Sequence, residues 1–125
     1  MRAFTAARAI AARVGSRLVS SPTSHEPPLV LLFSKDRAIQ LELFLRSYAQ
    51  HMSTPLPLTV MYRASTEAHR QAYEEVFANY RASELTVVAE SAFKPDLLAV
   101  LKASNARHVI FFVDDIVFIH PVDTR

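Results

Sequence analysis

The sequence contains no cysteine and a single glycine, and each shortage excludes classes of function. Without cysteine, the chain has no disulfide, no thiolate metal site and no cysteine nucleophile. Gly15 alone cannot build a phosphate-binding P-loop or a dinucleotide fingerprint, because both need several glycines to let backbone amides approach the phosphates. If the protein binds a nucleotide, its phosphates must be held in another way, and a metal ion bound to carboxylates is the obvious one.

Long apolar runs are also absent. No uninterrupted stretch approaches the roughly 20 residues that cross a bilayer as a helix, so we expect a soluble chain unless an anchor lies outside it. The 125 residues fit one domain with a modest core, and 50% of them are hydrophobic while 21% are charged. This balance is typical of a globular protein rather than of a disordered one.

Basic charge is concentrated at the N-terminus. The first 25 residues carry four arginines and no acid, whereas the rest of the chain has ten basic and twelve acidic residues, a net charge of −2. We therefore expect no nucleic-acid partner for the folded body. Residues 1–19 place apolar side chains at helical spacing among alanine and arginine. That pattern fits an organellar targeting helix, a helix on an anionic membrane surface, or a leader with only local packing.

The stretch 20–28 has the serine and proline content of a linker, so we divide the chain into a basic segment, 1–28, and a folded body, 29–125. The body alternates short apolar runs with amphipathic segments. Strands are predicted at 29–33, 58–62, 85–89 and 109–113; helices are predicted at 36–51, after a cap at Ser65 or Thr66, and around Pro95. This order predicts an α/β fold with a parallel or mostly parallel sheet and helices on its faces.

Ligands of such sheets bind at the carboxyl ends of the strands. Two adjacent carboxylates, Asp114 and Asp115, follow the fourth strand directly, where their charge is costly unless something compensates it. A divalent cation would do so, since aspartate oxygens suit Mg²⁺ or Mn²⁺. Neighbouring side chains on a strand point to opposite sides, so both can reach one ion only if the chain turns. A solvated strand end or a helix cap is the other interpretation of the pair.

A family resemblance adds to this pattern. The segment FFVDDIVF, fourth in a series that opens with LVLLFSKDRAIQLELFLRS, resembles the DxD-type region of GT-A glycosyltransferases. The resemblance covers roughly residues 29–122. It implies a Rossmann-like nucleotide-diphospho-sugar transferase fold, here truncated after the fourth strand, so that the catalytic base would lie beyond Arg125. One departure is that the motif reads DDI rather than a literal D-x-D, which leaves the roles of the two aspartates open.

The resemblance also implies a site. Asp114 and Asp115 would bind a divalent cation, Mn²⁺ or Mg²⁺, on the diphosphate of a nucleotide-sugar donor, and Asp114 would also contact the substrate. The other substrate-binding candidates follow the first three strands: Phe33, Ser34, Lys35, Arg37, Tyr62, Arg63 and Lys94. Lys35 and Arg37 are read either as diphosphate contacts or as ordinary surface charge, and Tyr62 either as a base contact or as a core residue.

Function and location remain expectations at this point. The first hypothesis is a metal-dependent glycosyltransferase that transfers a sugar to a hydroxyl of a glycan, a lipid-linked or a protein acceptor, in the cytoplasm or at a membrane surface. The alternative is a non-catalytic α/β module that binds a nucleotide or a protein through an open sheet edge. A phosphoacceptor receiver domain fits poorly, because Asp36 stands alone after the first strand where an acidic pair is needed.

Overall fold

The computed structural model describes residues 26–81 and 83–124. Within them the chain alternates strands and helices throughout. The elements are β1 (Leu29–Lys35), α1 (Ala38–His51), β2 (Leu58–Arg63), α2 (Glu67–Ala78), β3 (Leu85–Ala89), α3 (Phe93–Ala103) and β4 (Val109–Val113). The proposed targeting or membrane-binding helix lies outside the described residues. The division of the chain at residue 28 stays a prediction.

The four strands form one parallel sheet in the order β3-β2-β1-β4. The predicted α/β class is therefore confirmed, with a Rossmann-like arrangement of four strands and three helices. β1 lies inside the sheet, and its continuous apolar run is explained by cover on both faces: Val30, Leu31 and Leu32 are all fully buried. In the part of the chain that the structure describes, no helix is long and apolar enough to span a membrane.

The helices divide between the two faces of the sheet. Val30, Leu32 and Val60 belong to the same core cluster as buried residues of α1 and α2, whereas Leu31 and Met61 pack with Val100 of α3. The connections β1–α1–β2 and β2–α2–β3 advance in one direction, and the connection through α3 returns past β1 to β4. Because such crossovers are right-handed, this reversal places α3 on the opposite face.

Helix α1 starts later than predicted. The sequence predicts a helix from Asp36, but Asp36 has a φ of 54° and the helix begins at Ala38. The backbone amide of Asp36 donates to the carbonyl of Arg63 at 3.0 Å, which extends the contact with β2 instead of opening a helical turn. The side of α1 that faces the sheet carries apolar residues at helical spacing, and these are buried: Leu41, Phe44, Leu45, Tyr48 and, at its end, Met52.

After β4 the chain reverses and runs back along α1. The amide of Phe118 donates to Ser47 Oγ at 3.0 Å, and the ring of Phe118 lies 5.5 Å from that of Phe44. Further on, Val122 forms an isolated bridge with Met52. This return segment holds the end of β4 in place and puts a sharp turn directly after Val113.

The other face of β4 stays exposed. Val109, Phe111 and Val113 are 37%, 54% and 49% exposed, while Ile110 and Phe112 pack against the α1 side. β4, whose five residues are all apolar, is thus an outer strand of the described sheet, covered on one face and exposed on the other.

Candidate functional site

The ends of β1 and β4 meet at one point on the carboxyl edge of the sheet. Phe33 pairs with Val113, so Ser34 and Asp114 are the next residues on two neighbouring strands. The chain connections leave to opposite sides of the sheet here, and α/β sheets bind ligands in the crevice that such a reversal opens. Ser34 and Asp114 also continue the alternation that turns Leu32 and Phe112 toward the α1 side.

Asp114 is a buried carboxylate with two partners. It is 4% exposed, and Ser34 Oγ donates to its Oδ2 at 2.7 Å. Its Oδ1 lies 3.5 Å from Nε of Arg37, whose side chain is half exposed. The hydroxyl of Ser34 and the guanidinium of Arg37 therefore compensate the negative charge of Asp114, whose burial would otherwise be energetically costly.

Tyr73 of α2 joins this pair. Its side chain is fully buried, its hydroxyl lies 2.6 Å from Ser34 Oγ, and it accepts the backbone N–H of Arg37 at 3.0 Å. Burial raises the pKa of Tyr73, so the phenol keeps its proton at neutral pH. Sequence analysis did not identify Tyr73 as a site residue, since its helical spacing marks a core position and its partners lie 36 and 39 residues away.

Asp115 has the opposite environment from its neighbour. It is exposed and lies in the turn that follows Val113, whereas Asp114 is buried in the same turn. The sequence analysis required such a turn before both aspartates could approach one ion. The structure contains the turn and separates the pair into one internal and one solvent-facing carboxylate.

The cations after β1 face solvent. Lys35 ends the strand and is exposed, and Arg37 occupies the position before α1. Between them, the carboxylate of Asp36 accepts both the amide and the hydroxyl of Ser65 at 2.6 Å, and these hydrogen bonds lower the pKa of Asp36. These hydrogen bonds of Asp36 connect the residues that follow β1 to the residues that follow β2. They therefore restrict the movement of the loop that carries Lys35 and Arg37.

Tyr62 and Arg63, two of the predicted substrate-binding residues, lie at the end of β2. Tyr62 is half buried with its ring 4.7 Å from Tyr73 and 5.1 Å from Phe77, and burial raises its pKa. Arg63 reaches across to Glu90 at 3.7 Å and keeps a half-exposed guanidinium. Of the two, Arg63 is the more accessible to a ligand, and both assignments stay predictions.

Two candidates lie on the α3 side of the sheet. The ring of Phe33 is 5.5 Å from Phe93 and stacks at 5.9 Å on Phe111. Lys94 is exposed in the first turn of α3. The structure therefore brings Ser34, Arg37 and Asp114 into direct contact and leaves Phe33 and Lys94 outside that network.

The side chains available as metal ligands restrict the kind of metal site that the protein can form. Within residues 26–81 and 83–124, no group of three or more histidine, aspartate or glutamate side chains is arranged to hold a metal ion. Mg²⁺ commonly binds through one or two carboxylates and completes its shell with water and substrate phosphates. Asp115 beside Asp114 fits a cation of that kind, which would arrive with a diphosphate, and does not fit a cation held by protein ligands alone.

Comparison with known proteins identifies one relevant relative. The chain is 26% identical over 98 residues to the bifunctional glycosyltransferase pgtA of Dictyostelium discoideum. The chain is similar to a glycosyltransferase. The match covers 71% of this chain but 12% of that protein, so the chain spans a small part of its relative. No protein-family model and no solved structure matches the chain.

Proposed function

We propose that this chain binds the nucleotide-diphospho-sugar donor of a glycosyl transfer reaction at the exits of β1 and β4. The observation that carries the proposal is the contact of Asp114 with Ser34 and Arg37 at the point where the connections reverse. Similarity to a glycosyltransferase supports the same chemistry. The reaction would transfer the sugar to a hydroxyl of a glycan, a lipid-linked or a protein acceptor, in the cytoplasm or at a membrane surface.

The charges of the site suit a diphosphate. A divalent cation, Mn²⁺ or Mg²⁺, would neutralise charge that develops on the leaving nucleoside diphosphate. Asp115, which faces solvent, would bind the cation, and Asp114 would contact the cation or the donor from the buried side. Lys35 and Arg37 would donate hydrogen bonds to phosphate oxygens, and Arg63 or Tyr62 would contact the base. Lys94 is proposed to bind phosphate from the α3 side.

Calorimetric titration tests the proposal. The parent chain, Asp115→Asn and the control Asp123→Asn are each titrated with UDP-glucose and GDP-mannose, in Mn²⁺ and in EDTA. Asp123 follows Val122, which bridges to Met52 at the far end of α1, so the control removes an exposed carboxylate away from the site. We expect cation-dependent binding by the parent and the control, and its loss in Asp115→Asn. A folded parent that binds neither nucleotide sugar in Mn²⁺ contradicts the proposal.

The exposed face of β4 favours a second candidate, a non-catalytic module that binds a partner. Val109, Phe111 and Val113 form an apolar stripe on an outer strand of the described sheet, and such stripes mark interaction surfaces. Sedimentation of the same samples separates the two candidates. Self-association without nucleotide affinity favours the module, whereas a monomer with cation-dependent affinity favours the donor site.

A further inference from the structure

The geometry points to Tyr73 as a positioning residue, whose hydroxyl acts through Ser34 to set the orientation of the Asp114 carboxylate. The inference rests on the proposed function, because it concerns how the proposed donor site is held ready. Tyr73 belongs to α2 and ends neither β1 nor β4, so it acts on the site through other residues.

The direction of the hydrogen bonds is determined at both ends. The backbone N–H of Arg37 can only donate, so Tyr73 receives that proton at its oxygen. At the other end Ser34 Oγ donates to Asp114, so the serine oxygen is free to accept. The hydroxyl proton of Tyr73 therefore lies on Ser34. The bonds all run one way, from the Arg37 amide through both hydroxyls to Oδ2 of Asp114.

The first hydroxyl in this series of hydrogen bonds, that of Tyr73, is held rigidly. Tyr73 is fully buried, and its ring packs 4.7 Å from Tyr62 and 6.0 Å from Phe77. The amide that it accepts belongs to the residue just before α1. A buried ring packed against two other rings and a backbone donor leave the tyrosine hydroxyl one favourable position, and Ser34 transmits that position to the carboxylate.

The result is a carboxylate with two unequal oxygens. Oδ2 receives the short 2.7 Å bond from Ser34, while Oδ1 has the longer 3.5 Å ion pair with the half-exposed guanidinium of Arg37. Oδ1 is therefore the oxygen at which a cation or donor group can compete. Groups that orient a ligating side chain in this way typically change metal affinity or activity 10- to 100-fold when they are removed.

The chain offers a matched control at the opposite end of the sheet. The hydroxyl of Tyr48 also makes two hydrogen bonds, donating to the carbonyl of Leu56 at 2.7 Å and accepting its amide at 2.8 Å. Tyr48 is 5% exposed. Tyr73→Phe and Tyr48→Phe thus each delete one buried hydroxyl with two partners, and only the first deletion reaches Asp114.

Three measurements on the full chain test the role: the urea unfolding midpoint, amide hydrogen exchange by NMR, and Mn²⁺-dependent affinity for UDP-glucose and GDP-mannose. We expect similar midpoint losses in both variants. Exchange should accelerate at Arg37 in Tyr73→Phe and at Leu56 in Tyr48→Phe. The affinity should fall about tenfold or more in Tyr73→Phe and stay at the parent value in Tyr48→Phe.

Each result has a distinct meaning. Parental affinity in Tyr73→Phe, with accelerated Arg37 exchange, overturns positioning and leaves Tyr73 a structural role. If the parent binds no nucleotide sugar, the proposed function fails; the carboxyl ¹³C resonance of Asp114 then decides, since an unchanged resonance in Tyr73→Phe rules out any effect on Asp114. If Tyr73→Phe does not fold, Ser34→Ala removes the hydroxyl that links Tyr73 to Asp114 and keeps the bond from the Arg37 amide to Tyr73. The Mn²⁺-dependent affinity should then fall about tenfold or more, and an unchanged Asp114 carboxyl ¹³C resonance in ligand-free Ser34→Ala overturns the positioning role.

Discussion

The two ends of the sheet use a buried tyrosine in different ways. At the amino end, the hydroxyl of Tyr48 bonds twice to the backbone of Leu56, eight residues along the chain. At the carboxyl end, the hydroxyl of Tyr73 connects to residues 36 and 39 positions away and, through Ser34, to Asp114. The first arrangement closes a local turn. The second assembles polar groups from three elements around a charged residue.

The residues around the two tyrosines also differ in polarity. Around Tyr48 the neighbours are aromatic and aliphatic, with the rings of Phe44 and Phe118 at 5.9 and 6.0 Å. The ring of Tyr73 also packs on aromatic rings, those of Tyr62 and Phe77, but its hydroxyl bonds to Ser34, which in turn donates to a carboxylate paired with a half-exposed guanidinium. The amino end stabilises the fold by burial, whereas the carboxyl end keeps costly polar groups together. Substitutions at the amino end of the sheet should therefore change mainly the stability of the protein, whereas substitutions at the carboxyl end should change mainly its ligand binding.

The largest expected effect lies in the aromatic cluster. Phe44→Ala removes a fully buried ring that contacts Tyr48, Phe112 and Phe118, and should lower the free energy of unfolding by about 3–5 kcal/mol. Leu43→Ala, at the neighbouring 47% exposed position, is the control and should change it by about 0.5 kcal/mol. Urea denaturation measures both. Equal losses would contradict the placement of the core on this side of α1.

A smaller difference in the free energy of unfolding is expected between alanine substitutions at Asp114 and at Asp115. Asp114→Ala leaves Ser34 and Arg37 without their acceptor and should cost about 1–3 kcal/mol of unfolding free energy. Asp115→Ala changes an exposed turn position and should stay within about 0.5 kcal/mol. The same denaturation experiment compares them. A cost at Asp115 as large as that at Asp114 would remove the distinction between an internal and a solvent-facing carboxylate.

The smallest effect concerns pH. Hydrogen bonds from Ser65 lower the pKa of Asp36 in the folded protein, so ionised Asp36 favours folding. This contribution is complete above the ordinary aspartate pKa of about 4 and is lost as the pH falls through the lowered value. Asp36→Asn should therefore be less stable than the parent at about pH 6, with a smaller gap at about pH 3. Asparagine tolerates the positive φ, and a gap that is constant with pH contradicts the assignment.

Local patterns were sufficient to predict most of the fold. The apolar runs gave β3 and β4 the bounds that the structure has, and Thr66, one of the two predicted caps, accepts the amide of His69 at 3.2 Å. The predicted start of α1 was wrong because Asp36 bonds to distant residues, through its amide to Arg63 and through its carboxylate to Ser65, 29 positions later. A local pattern contains no information about such a partner, and the contact overrides helix initiation.

The candidate site likewise contains residues that the local sequence could predict and one that it could not. Ser34, Arg37 and Asp114 could be expected together, because parallel strands place their carboxyl ends on one edge of the sheet and these residues directly follow two strands. Tyr73 could not be expected there, since its spacing on α2 has the same period as any core residue of a helix.

The sequence by itself determined the alternation of strands and helices, the α/β class and the edge on which polar residues collect, since these depend on periodicity and on the geometry of parallel strands. Tertiary structure decided the strand order, the burial of Asp114 against the exposure of Asp115, and the connection of Tyr73 to both β1 and β4. Those features depend on contacts between residues up to 80 positions apart, which form only when the helices pack on the sheet.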